Sequence, residues 1–297
     1  GELRACTGIS SNSSELRACL PAITIMATMY RKIIVQTGNI IDMEDQIRLV
    51  GQTSSEELKG CVKTALNEWS SPSAARQHHP RPATIGCEVE EEEGTVVVQG
   101  NRKPLMYTAG ICGGISTTAK IFLSDNLGDY VTDAIKTVMR NVDRERIESV
   151  ILSLPDVSDD LTLQDLMGVW RALELAVDEG YVTHLGIADI SNSLFKELYE
   201  WSRVKPTTFQ INLECCCNPS EEMTEFARTH DVQMLTHSDN SDMLDEDVMS
   251  SILSRVGVPQ AVCQVQWLAR HRTIMQCFGL ILDKGYTIAI DCTGGND

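Results

Sequence analysis

From Arg31 onward the chain alternates short β-like runs with segments of helical period, and this alternation leaves few folds open to it. The strand candidates are Ile33–Gln36, Thr95–Gln99, Ala119–Leu123, Ser149–Leu152, His184–Ala188, Phe209–Leu213 and Gln233–Thr236. Between them fall helical patterns over Ser55–Trp69, Val131–Asn141, Thr162–Glu179, Leu194–Trp201, Glu221–Thr229 and Asp245–Arg255. In the first of these, Leu58, Cys61, Val62, Ala65, Leu66 and Trp69 make one apolar stripe, with Ser54 or Ser55 available as its cap. Gly180 ends the helix begun at Thr162, and Ser220 is the start signal for the helix at Glu221. A further helix over Pro259–Arg270, a strand over Thr273–Gln276 and a closing helix or loop complete the reading. Repeated strand–helix units of this kind build a parallel sheet. An open doubly wound sheet fits nearly as well as a closed barrel, but the 297 residues fill a barrel and no Gly-x-Gly-x-x-Gly follows the first strand. The expectation is a single (β/α)8 TIM barrel over 29–297, with an acidic loop insertion near 72–114. Residues 1–28 read as a leader outside the fold: residues 2–6 (ELRAC) recur at 15–19 around a Ser-rich stretch, and Met26 or Met29 offers a start.

The formal net charge is −17, which repels phosphate backbones and anionic membranes and favours a partner carrying a basic patch. No apolar run approaches the ~20 residues of a membrane span. The 11 cysteines are odd in number and contain no Cys-x-x-Cys pair, a pattern of free thiols in a reducing cytoplasm rather than of a zinc ribbon or a disulfide framework. His78, His79 and Cys87 sit in a Pro- and Ser-rich loop and are not read as a metal site, so no metal is expected. The five carboxylates within Glu88–Glu93 read as a solvated acidic loop able to approach a basic surface. The Gly-rich pieces at 111–115 and 293–295 lack the lysine and spacing of a phosphate loop.

Several segments are more specific. ALELAVDEGYVTHLGIADIS (172–191), KPTTFQINLE (205–214), VILSLPD (150–156) and VQWLARHRTIMQC (265–277) resemble, in order, segments of the aldo-keto reductase superfamily. Within it QTGN (36–39), SSEELKGCVKTALNEWSS (54–71), LYEWSRVKP (198–206), QMLTH (233–237), DKGY (283–286) and the Cys215–Cys217 cluster are similar to the modifier, or regulatory, subunits of glutamate–cysteine ligase.

That resemblance implies an aldo-keto reductase-type barrel without its reaction. The superfamily transfers hydride from NADPH while a tyrosine, assisted by a lysine and an aspartate, delivers a proton and a histidine orients the carbonyl. Lys120 matches the lysine, but Ser153 stands at the histidine position. Asp125 and Tyr130 have the acid–tyrosine spacing but follow Lys120, and Tyr107 has no aspartate five residues before it. Lys120 and Ser153 are therefore vestigial, and no catalytic residue is expected. Among cofactor contacts, Ala188 and Asp189 replace a Ser-Asn pair, Gln210 matches, His237 replaces a stacking tyrosine, and Gln276 and Cys277 replace a phosphate-gripping Lys-Ser. No cofactor is expected, with residual NADP binding the weaker alternative. Cys215, Cys216, Cys217 and Cys277 are candidate redox or partner-contact residues. The implied function is non-catalytic. The chain would form a heterodimer with the catalytic subunit of glutamate–cysteine ligase, improving glutamate use and weakening feedback by glutathione. A divergent NADPH-dependent reductase using Lys120 and Tyr107 is the competing reading.

Overall fold

A computed structural model describes residues 30–43, 51–69, 94–102, 114–155, 161–213, 220–240 and 243–294. Nine strands and six α-helices are placed: β1 Lys32–Gln36, α1 Ser54–Glu68, β2 Thr95–Gln99, β3 Ile115–Leu123, α2 Gly128–Val142, β4 Ile147–Ser153, α3 Leu163–Asp178, β5 Val182–Ala188, α4 Asn192–Trp201, β6 Thr208–Asn212, α5 Glu221–Thr229, β7 Gln233–His237, α6 Glu246–Val256, β8 Gln264–Met275 and β9 Leu280–Asp291. The boundaries follow local chemistry. Thr53, rather than Ser54 or Ser55, caps α1 in a reciprocal box with Glu56, and Ser220 and Asp245 cap α5 and α6. At the other end of α6, Gly257 takes the left-handed conformation that closes a helix.

The α/β class and the run of parallel strand–helix units are both present. β3, β4, β5, β6 and β7 pair in parallel and in sequence order, each followed by a helix after β3 through β7. The strand order around them departs from a regular eightfold barrel. It runs β2-β1-β9-β8-β3-β4-β5-β6-β7, and no described pairing joins β7 to β2.

The segment expected to hold a helix over 259–270 and a strand over 273–276 is instead a long antiparallel hairpin, β8–β9, set between β1 and β3. The helix expectation failed because Trp267, Leu268 and Ala269 are all buried, so residues on both faces of the strand are apolar and the period of two disappears. Pairing with Leu280–Asp291, a partner lying beyond the segment itself, decides the conformation.

Two apolar cores lie on opposite faces of the sheet. Ala119, Ile121, Trp267 and Ala289 face a core shared with α2, α3, α4 and α5. Ile33, Val35, Leu268 and Ile288 face a second core shared with α1 and α6. The strand alternation that divides these residues also directs Lys120 and Arg270 away from the first core, toward the α1–α6 side.

Where β9 crosses the end of β1, Gly285 lies so close to Gly38 that a Cβ would strike the Gly38 carbonyl oxygen and the ring of His271. That ring is fully buried, and burial beside Arg102 lowers its pKa to about 3, keeping it neutral. Arg102 itself pairs with the buried Asp283. Replacing Gly285 by alanine should cost about 1–3 kcal/mol through overpacking. Urea denaturation would measure it, and an unchanged midpoint would refute the close approach.

Candidate functional site

The carboxyl ends of parallel strands are where α/β folds assemble chemistry. Here β3 brings Lys120, β5 ends before Asp189, β7 ends at His237, and Asp239 follows two residues later. From the antiparallel side β8 adds Arg270, which stands opposite Lys120 in the β3–β8 register. The first turn of α1 adds Ser54 and Glu57. Because Thr53 takes the capping role, the Ser54 hydroxyl is free to reach this cluster.

Asp239, 4% exposed, is the hub. Its Oδ1 accepts from Ser54 Oγ at 2.7 Å and Arg270 Nη1 at 2.6 Å. Its Oδ2 accepts from Lys120 Nζ at 2.9 Å and Arg270 Nη2 at 3.0 Å, with His237 Nδ1 at 3.3 Å. Lys120 is 3% exposed and also lies 3.9 Å from Asp189 and over the ring of Phe122. Asp189 takes a left-handed backbone conformation, φ 61°, which turns its carboxylate back onto the Asn212 amide at 3.0 Å and His237 Nε2 at 2.8 Å.

The electrostatics follow from this packing. Burial alone would raise the Asp239 pKa, but the His237 contact, Arg270 and Lys120 together hold it far below the ordinary carboxylate range. Burial lowers the Lys120 pKa, and Asp239 only partly restores it. For His237 burial works against the charged form, yet the hydrogen bonds to Asp189 and Asp239 leave the net shift upward.

One phenol lies beside the cluster. Tyr286, fully buried on β9, donates through its hydroxyl to Glu57 at 2.7 Å. Burial and the Glu57 carboxylate push its pKa upward, opposite to what a proton-donating tyrosine requires.

The residues singled out in the sequence divide into three groups. Lys120, Asp189 and His237 come together as described. Ala188 and Gln210 are register partners across β5 and β6 at the same end of the sheet, and Gln210 Oε1 is buried with no partner among the described residues. Ser153 ends β4, two strands from Gln210. Gln276 and Cys277 lie elsewhere. β8 runs antiparallel to β3 and pairs Met275 with Ile115, so the turn beyond it stands at the amino end of β3, away from Lys120. The residues that the resemblance assigns to the nicotinamide and those it assigns to the phosphate are at opposite ends of the sheet. Cys215, Cys216, Cys217, Tyr107 and Glu88–Glu93 lie outside the described residues, whereas within the expected insertion 94–102 are described and hold β2. Sequence reasoning missed Asp239, Arg270 and Tyr286. Apart from the His237–Asp239 contact, their partners are 31 to 232 positions away, so no spacing marks the cluster.

Residues 120–239 match the aldo/keto reductase family. The stretch begins at the buried lysine and ends at its aspartate partner. Along most of its length the chain is similar to proteins named glutamate–cysteine ligase regulatory subunit. It is 28% identical to the human protein over 87% of this chain and 92% of that one, and 27% identical to the rat protein over 86% and 90%. Among solved structures, an aldose reductase from Giardia lamblia aligns with 41% of this chain and 44% of its own, at 19% identity and a TM-score of 0.33.

Replacing Asp239 by asparagine should remove about 3–5 kcal/mol of stability, because Lys120 and Arg270 would remain buried without their counterion. The sign with pH follows from the depressed carboxyl: its contribution is present above the ordinary aspartate pKa and lost as pH falls through the folded value. Denaturation from neutral pH down into acid should therefore show a shallower loss for Asp239→Asn than for the unaltered chain. Parallel acid limbs would contradict the role given to Asp239.

Proposed function

We propose that this chain is a non-catalytic regulatory subunit that binds the catalytic subunit of glutamate–cysteine ligase as a heterodimer and activates it. The observation that carries the reading is the similarity to regulatory subunits along 86–87% of the chain and 90–92% of theirs, which leaves little of either outside the match.

The ion cluster supports a silent site. The ammonium of Lys120 is neutralised by Asp239, and Arg270 shares that same carboxylate. Tyr286, the phenol nearest this network among those described, is engaged by Glu57 and made harder to ionise. A reductase needs a tyrosine whose proton is easily released toward a carbonyl oxygen. Here the equivalent charges are arranged to satisfy one another, which stabilises the fold and leaves influence to pass through contact with another protein. The acidic charge of −17 suits a basic partner surface.

Activation of this kind is a population shift: the regulatory chain must bind one conformation of the catalytic subunit more tightly than another. A coupling of about 1–3 kcal/mol, roughly a 5–150-fold difference in affinity, is sufficient. Adding the purified chain to the catalytic subunit should lower the glutamate concentration needed for half-maximal rate and weaken inhibition by glutathione. Unchanged kinetics in a mixture shown by sedimentation to contain no complex would overturn the proposal. Aldehyde turnover with NADPH by the isolated chain would favour the reductase instead.

A further inference from the structure

The cysteines drawn together by the fold are not those that sequence spacing suggested. Cys263 immediately precedes β8 and Cys292 immediately follows β9, so the two close the hairpin at its open end, next to the Gln264–Asp291 register pair. Their sulfurs are 2.9 Å apart, and both are free thiols.

The backbone holds them there. The Cys292 amide donates to Arg31 O at 2.8 Å, at the entrance to β1, and the Cys263 amide donates to Gln260 O at 3.1 Å. Gly294 N donates to Val262 O at 3.1 Å, tying the two chains together just outside the cysteines. A disulfide needs about 2.05 Å between sulfurs, so closing the bond asks for less than about 1 Å of further approach. Access is unequal: Cys263 is half-buried, whereas Cys292 is 3% exposed.

We propose that Cys263 and Cys292 are a reversible disulfide site that staples the β8–β9 hairpin at its base when the surrounding thiol pool becomes oxidised. The oxidant is a small disulfide such as oxidised glutathione. The Cys263 thiolate attacks one sulfur of that disulfide, forming a mixed disulfide and releasing one small thiolate. Cys292, deprotonated in turn, attacks Cys263 Sγ and expels the second. One protein S–S bond forms, the small disulfide is cleaved, and its two thiols carry away the two hydrogens. The order follows from exposure, since only Cys263 is open to the first attack.

Burial raises both thiol pKa values, and for Cys292 its hydrogen bond with Cys263 adds to the effect. The pair therefore resists oxidation near neutrality, and the rate should keep rising as pH is taken through 9, because only thiolates attack. Cys277, by contrast, is exposed at the hairpin turn beside the equally exposed Phe278. It has no second thiol beside it among the described residues.

The staple would close residues 263–292 into a covalent loop around the one described element that pairs with both β1 and β3.

The test is peptide mapping of the full chain, incubated with oxidised glutathione, alkylated and digested without reductant. A peptide pair joined through Cys263 and Cys292, lighter by two hydrogens than the free peptides and released by dithiothreitol, is expected. Alkylation of Cys263 in the folded protein should slow by at least about tenfold once the bond has formed. Cys277→Ser should leave the linkage intact, and Cys263→Ser should abolish it while thermal melting shows the variant still folded. The unaltered oxidised chain should melt several degrees higher than the reduced chain. The proposal is overturned if Cys263 accumulates as a glutathione adduct beside a free Cys292, if either cysteine is found joined to a different one, or if both remain alkylatable.

Discussion

The β8–β9 hairpin is the constraint on which the rest of the arrangement hangs. Among the described residues it is the hydrogen-bonded link between the β1–β2 ribbon and the five parallel strands, pairing with β1 on one side and β3 on the other. Its own residues divide between the two apolar cores, Trp267 and Ala269 to one and Leu268, Tyr286 and Ile288 to the other. A single antiparallel element therefore both completes the sheet and seals each of its faces. Its side chains are among the most buried in the protein, so loosening it would expose apolar surface on both sides at once.

The same hairpin settles what the strand ends can do. Placing Arg270 opposite Lys120 brings two cations to one buried acid. Taking such charges out of water costs several kcal/mol for each ion, and the cost is repaid only where geometry and hydrogen bonding are good. Asp239 meets that condition through the two-pronged Arg270 contact, Lys120 and the Ser54 hydroxyl. A site built for proton transfer keeps one group poised to change its charge. In this cluster the carboxyl is held ionised and the neighbouring phenol neutral, while His237 is shifted upward by its two carboxylate partners.

Much of this was legible in the chain. The strands and helices from Ala119 to Arg255 lie close to their expected bounds, because each carries a local signal: a period, a cap such as Ser220, or a stop such as Gly180. Lys120, Asp189 and His237 were singled out through the resemblance, as vestigial positions and not as members of an ion cluster. Asp239 was not, although it lies two residues beyond His237, since nothing about an aspartate in a loop announces a buried partner 119 positions away. The cysteines show the same limit. Adjacency drew attention to Cys215–Cys217, while Cys263 and Cys292 meet only because a hairpin folds their strands back on one another.

By itself the sequence determined the α/β class, the succession of parallel strand–helix units and their caps, all of which depend on interactions within a few residues. Only the tertiary structure decided the strand order, the hairpin in place of a final helix, and the charge pairing around Asp239. Those outcomes depend on which distant segments compete for the same sheet edge and the same buried carboxylate, and that competition is settled by packing and desolvation across the whole chain.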